Sequence, residues 1–175
     1  MKYLQTIILT FAYFLSSGQN NYNDSISISN VLIQGNKMAN ELLNKNYEAF
    51  AKYTYKPIID MAGGEKQIVE IIENGMKGIE AEGLFFTKCS IEKPENIIHI
   101  NEELQCTVFE TIEMKTPKGR MVTKSILIGI SIDNGQNWTF IDTSNKDLQK
   151  LKEVLPNLSD KLVIPKKEKP LIYND

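Results

Sequence analysis

The chain is poor in histidine and cysteine and carries no cationic excess. Its 175 residues include one histidine, His99, and two cysteines, Cys89 and Cys106. His99 stands alone between Ile98 and Ile100, so it is expected to be an ordinary sheet residue, and neither a zinc site nor any cofactor is expected. No Ser-His-Asp set, glycine-rich phosphate loop or dinucleotide fingerprint is present. Lysine and arginine total 20 against 22 acidic residues, which gives no basic footprint for nucleic acid. Beyond residue 18 no apolar run reaches the roughly 18 residues of a transmembrane helix, so no stable membrane insertion is expected of the remainder.

The most directive segment comes first. Met1-Lys2 is followed by a mostly apolar, uncharged run, Tyr3 to Leu15, and then by the small residues Ser16-Ser17-Gly18. One charge, a hydrophobic stretch too short to span a bilayer and a small-residue cleavage site are the pattern of a secretory signal. Residues 1–18 are therefore expected to be a signal peptide, and the mature chain to work in a secreted or periplasmic location. A polar segment, 19–29, precedes a single domain over 30–155, and a Pro-containing extended tail follows over 156–175. In an oxidising compartment Cys89 and Cys106, both in strand-like segments, are candidates for a disulfide that would stabilise by about 3 kcal/mol. Two small buried thiols are the alternative.

The domain has a helical half and then a strand half. Apolar spacing predicts a helix from about Ser29 to Lys45, a short helix capped by Asn46, a connector Pro57–Met61, and a helix from Glu65 to about Ala81 that stops at Gly83. Gly75 and Gly78 weaken that last helix, as though another backbone came close there. After Gly83 the period becomes two. Leu84–Glu92, Ile97–Ile100, Leu104–Lys115, Met121–Ile132 and Trp138–Thr143 are predicted strands, and a helix over about Lys146–Leu155 follows. Helices followed by strands mean α+β with an antiparallel sheet against the N-terminal helices.

Pro117-Lys118-Gly119 fits a three-residue hairpin loop, which would pair Thr116 with Arg120, Glu110 with Ile126 and Val108 with Ile128. Ile126, Ile128, Ile130 and Ile132 would then face the helices with Cys106 and Val108. Thr107, Phe109, Thr111, Ser125, Leu127 and Gly129 would form an outer face suited to a homodimer. Glu110 and Lys124 would be diagonal neighbours, at an open sheet end or lining a pocket. A two-residue loop would put the isoleucines on the face of Thr107, Phe109 and Thr111 instead.

The next turn, Ser131-Ile132-Asp133-Asn134-Gly135-Gln136-Asn137-Trp138, resembles an Asp-box, the Ser-x-Asp-x-Gly-x-x-Trp hairpin of sialidases and other secreted β proteins. The resemblance implies a folding element: Asp133 accepting from turn amides, Gly135 at positive φ and Trp138 packed beneath, with no activity attached. Trp138 and Phe140 would face the core with Asp142 on their side, either as a cap near Ser144 or as a pocket acid.

Helix, short helix, connector, helix and curved antiparallel sheet is an order similar to the nuclear-transport-factor-like, or cystatin-like, cone also seen in ketosteroid isomerase. Met61-Ala62-Gly63-Gly64, Leu104-Gln105-Cys106-Thr107, Thr111-Ile112-Glu113-Met114-Lys115 and Trp138-Thr139-Phe140-Ile141-Asp142 also resemble segments of small uncharacterised secreted proteins of Bacteroidetes-type bacteria. The cone resemblance implies a chamber lined by Ile126, Ile128, Trp138, Phe140 and Lys124. Such a chamber would suit a non-catalytic binding domain for a small apolar ligand or a protein partner. In enzymes of this fold, acids and tyrosines project into the cone. Candidates here for an isomerase or hydratase are Glu110, Asp142, Tyr53, Tyr55 and Asp60.

Overall fold

A computed structural model describes residues 24–143, 146–166 and 168–174. The expected signal peptide, the start of the polar segment and the Ser144 cap lie outside them. The chain is α+β. Helices α1 (Asp24–Leu43), α2 (Tyr47–Ala51), α3 (Lys56–Met61) and α4 (Glu65–Ala81) precede strands β1 (Phe85–Ile91), β2 (Ile98–Ile100), β3 (Glu103–Thr116), β4 (Gly119–Ser131) and β5 (Thr139–Asp142). A short helix α5 (Leu148–Lys152) and a strand β6 (Leu171–Tyr173) close the chain.

Helix α1 begins five residues before its predicted start. Its first turn gains tertiary partners that spacing cannot show: Ser27 is buried, and Asp24 Oδ1 lies 2.8 Å from His99 Nε2. Asn46 caps α2 by accepting from the Ala49 amide. The expected connector is helix α3, because Pro57 falls in a first turn, where its missing N–H costs nothing. Helix α4 matches its prediction and ends before Gly83, whose φ is +78°. Among the described residues nothing outside the helix's own backbone lies within 4 Å of a Cβ added at Gly75 or Gly78, so no neighbouring backbone comes close there.

The open antiparallel sheet has the order β1-β3-β4-β5, with β2 on β3 and β6 on β4. Its central register is one residue off the three-residue-loop prediction. Thr116 pairs with Gly119, Glu110 with Ser125, Phe109 with Ile126 and Thr107 with Ile128. Only Pro117 and Lys118 make the turn. The Thr116 hydroxyl accepts from the Lys118 amide at 3.2 Å, and Gly119 takes the positive φ as the first residue of β4.

Paired residues of an antiparallel ladder share a face, so this slip moves every β4 side chain to the face opposite the expected one, while Cys106 and Val108 on β3 keep theirs. Leu104, Cys106, Val108 and Leu127 face α1 with Trp138 and Phe140, around Val31 and Met38. Ile128 and Ile130 face away from α1. They pack with Ile98 and Ile141 under Leu151, Leu155, Leu158 and Leu162. Ile126 shares their side by register, and Ile132 is exposed. The four isoleucines therefore do not enclose a chamber with the helices. The supposed outer face is not one face either: Leu127 and Gly129 are buried toward α1, while Thr107, Phe109 and Thr111 are on the opposite side.

The layer over the isoleucines comes mostly from residues 148–164, with Tyr55 and Ile58 packed beside it. Gln105, fully buried, fastens it. Its Oε1 accepts from the Ser159 amide at 2.9 Å, and its Nε2 donates to the Asn157 carbonyl at 3.0 Å. Leu158 and Leu162 are core residues, so the segment after Pro156 belongs to the folded unit at least that far.

The Ser131–Trp138 turn has the expected internal geometry. Asp133 accepts from the Asn137 amide at 2.8 Å and from the Ser131 hydroxyl at 2.8 Å. Burial pushes the Asp133 carboxyl up, but these bonds, chiefly those from Asn137, hold it below its ordinary range. Trp138 is buried and donates from Nε1 to the Gly135 carbonyl. The hairpin also docks α1, since Asn30 donates to the Gly135 carbonyl and Gln34 bonds both the Gln136 carbonyl and the Trp138 amide.

Candidate functional site

A strand residue with an ionisable side chain becomes chemically unusual when its face is covered. Glu110 is in that position at the middle of β3, between Ile91 on β1 and Ser125 on β4. Its carboxyl is buried. Oε2 accepts from the Ser125 hydroxyl at 2.8 Å and Oε1 from the Cys89 thiol at 3.2 Å. Burial is the main influence on its pKa and raises it. The bonds from Ser125 and Cys89 act against that, and the Asp142 charge adds to it. Glu110 therefore favours its neutral form more than a solvated carboxylate does.

The other sequence candidates do not gather around it. Lys124 pairs with Thr111 and projects from the opposite face. Its Nζ lies 3.1 Å from Glu92, which also accepts from the Thr111 hydroxyl, so the expected Glu110–Lys124 pair is replaced by Glu92–Lys124. Ile126 and Ile128 stand on the Lys124 side of the sheet, while Trp138 and Phe140 are core residues on the Glu110 side. The five expected pocket residues are thus divided by the sheet itself. Tyr53 packs against the core beneath α1. Tyr55 packs on the isoleucine side, with its hydroxyl 3.3 Å from Glu103. Asp60 is exposed on α3 and pairs with Lys56.

Cys89 and Cys106 are both buried and free. Cys89 sits opposite Ile112, six positions along β3 from Cys106, about 20 Å at the ordinary strand rise. A disulfide needs Cα atoms within about 7 Å, so these two cannot bridge. Burial pushes the Cys106 thiol up to about 12 and the Cys89 thiol up as well, the latter helped by Glu110. Neither thiol should react with a disulfide reagent in the native protein at pH 8, and both should react in guanidinium. Fast native labelling of either would contradict this burial.

A cleft opens beside Glu110. The β4–β5 pairing ends at Leu127–Asp142, with the Thr143 amide on the Ile126 carbonyl. On that same side, β6 pairs only with Arg120–Val122. Among the described residues, Thr123, Lys124 and Ser125 have no strand partner there. At this interruption lies a cleft of about 310 Å³. Ile126, Ile164 and Pro165 give it an apolar part, Asp142 and Asp147 acids, and Lys124, Lys146 and Lys166 bases. Ser125 belongs both to this cleft and to the Glu110 cluster. On the same face, Thr123 Oγ1 is buried without a hydrogen-bond partner among the described residues.

Of the sequence candidates, the cleft unites Lys124, Ile126 and Asp142. It adds Ser125, which the sequence assigned to the other face, and Ile164, Pro165 and Lys166. No periodicity signals these last three, because they arrive through the fold of the C-terminal segment. Among the described residues no group of three or more His, Cys, Asp or Glu could hold a metal ion, and no helix is long and apolar enough to cross a membrane. No protein-family model matches the chain, and no curated protein is significantly similar to it.

Proposed function

We propose that the chain is a secreted or periplasmic, non-catalytic binding domain whose cleft at the β4 edge takes a small ligand with an apolar body. The observation that carries this reading is the interruption of the sheet beside Ser125, where a cleft near the lower size limit of ligand sites combines apolar side chains with charges of both signs. The signal-like residues 1–18 support the location. The element order supports a nuclear-transport-factor-like frame, in which the C-terminal segment covers the isoleucine face.

An isomerase or hydratase would need an acid and a tyrosine hydroxyl converging on one cavity. The Tyr55 hydroxyl is directed to Glu103, and both Glu110 oxygens already accept from Ser125 and Cys89. This arrangement favours binding over proton transfer.

The test is a titration of the labelled protein with short-chain alcohols and amides, followed by amide chemical shifts. Perturbations should centre on Ser125, Ile126 and Thr143. Ile164→Trp, which fills the cleft from a half-buried position, should abolish them. Perturbations that survive in Ile164→Trp, or none at millimolar ligand, would remove the cleft from consideration.

A further inference from the structure

A second recess lies on the helical side, away from the sheet cleft. Helices α2, α3 and α4 share a small core of their own, made by Ala51, Ile59 and Ile68. Above it runs a groove of about 450 Å³ whose floor is those same residues with Val69. Its rim carries Glu48, Glu65, Glu70 and Glu73 against only Lys52 and Lys66. Glu70 and Glu73 have exposed lysine partners on α4 itself, at 3.9 and 3.6 Å. Glu48 and Glu65 have no ion-pair partner among the described residues.

The walls decide what form an occupant takes. A groove between helices offers no strand edge: the few unbonded backbone groups of α2 and α4 lie at the helix ends and form no continuous row of donors and acceptors for an extended chain. An extended peptide lying there would leave its own backbone groups desolvated and unpaired. A helix brings its backbone already paired and needs only an apolar stripe for the floor and charges for the rim. The excess of carboxylates sets the sign of those charges.

We infer that the groove between α2 and α4 docks a basic amphipathic helix of a partner protein. This is independent of the ligand reading of the sheet cleft, since no residue is shared between the two recesses.

The probe is a fluorescein-labelled fourteen-residue amphipathic helix of leucine and lysine, with a leucine–glutamate peptide of the same pattern as control. Anisotropy should report saturable binding of the lysine peptide only, weakening several-fold between about 20 and 200 mM salt. The double reversal Glu48→Lys/Glu65→Lys should weaken binding at least about tenfold. The double reversal Glu82→Lys/Glu95→Lys, on exposed positions outside the groove, changes net charge equally and should leave the affinity within about twofold. Val69→Asp, at the half-buried edge of the floor, should abolish binding without unfolding the chain, as judged by circular dichroism. Equal weakening by the two double reversals would mean attraction to overall charge and would overturn the inference. So would binding that Val69→Asp leaves intact in a folded protein, or no binding of the lysine peptide.

Discussion

Glu110→Ala is expected to destabilise the protein by about 3 kcal/mol, read as a shift of the urea midpoint at constant slope. The substitution removes the acceptor for both the Ser125 hydroxyl and the Cys89 thiol and leaves a void inside the covered face. Glu110→Gln keeps the volume and one carbonyl acceptor, so about 1 kcal/mol is expected at pH 4. The two variants should diverge from the wild type differently as pH rises. Glu110 has a folded pKa above its ordinary 4.5, chiefly because of burial. Above pH 4.5 the unfolded chain releases this proton while the folded chain retains it, so stability falls with rising pH until the raised folded pKa has been passed. Below 4.5 the contribution is fully present. The deficit of Glu110→Gln relative to wild type should therefore shrink from pH 4.5 upward. Asp142→Asn, which removes a negative charge acting on Glu110, should flatten the wild-type slope. A Gln deficit that is constant with pH would mean that Glu110 is ionised in the folded protein.

Gly135→Ala is expected to cost about 3 kcal/mol, and roughly 10 °C in Tm for a chain of this size. Two causes add. The φ of +80° is disfavoured for any residue with a Cβ. The new Cβ would also stand 2.2 Å from Ser27 Oγ and 2.9 Å from Ser27 Cβ, so the first turn of α1 must move. That movement endangers the bond from Asn30 to the Gly135 carbonyl. Ser27→Gly in the same chain removes the collision but not the backbone strain, and should recover about half the loss. A loss below about 1 kcal/mol for Gly135→Ala alone would show that α1 is not seated on this hairpin.

The legible parts were those specified by neighbours in sequence. Asn46 capping α2, Gly83 stopping α4 and the Asp133-centred turn each depend on residues a few positions apart. The register of β3 and β4 departs from the loop-based expectation because the sheet is covered on both faces, by α1 on one and by the C-terminal segment on the other. The chain contains a sign of the right answer: Ile126 to Ser131 is buried at every position, and a continuous apolar run is how a strand covered on both faces looks. The disulfide candidate failed for a separate reason: strand-like context says nothing about how far along β3 the two thiols lie. The candidate site suffered most. A one-residue slip sent Lys124, Ile126 and Ile128 to one side of the sheet and left Glu110, Trp138 and Phe140 on the other.

Local order was enough to set the α+β class, the helices before the strands, and the Asp-box-like hairpin with its buried tryptophan. Spacing, caps and glycine positions act over one or two turns of chain, and they act before any tertiary contact forms. Which side of the sheet each strand residue occupies, how the C-terminal segment covers the isoleucines, and where the cleft opens were decided by the tertiary structure. Those outcomes depend on contacts such as Gln105 with Ser159 and Gln34 with Trp138, between residues 54 and 104 positions apart. Whether such partners meet depends on the packing of the whole chain, which no local pattern records.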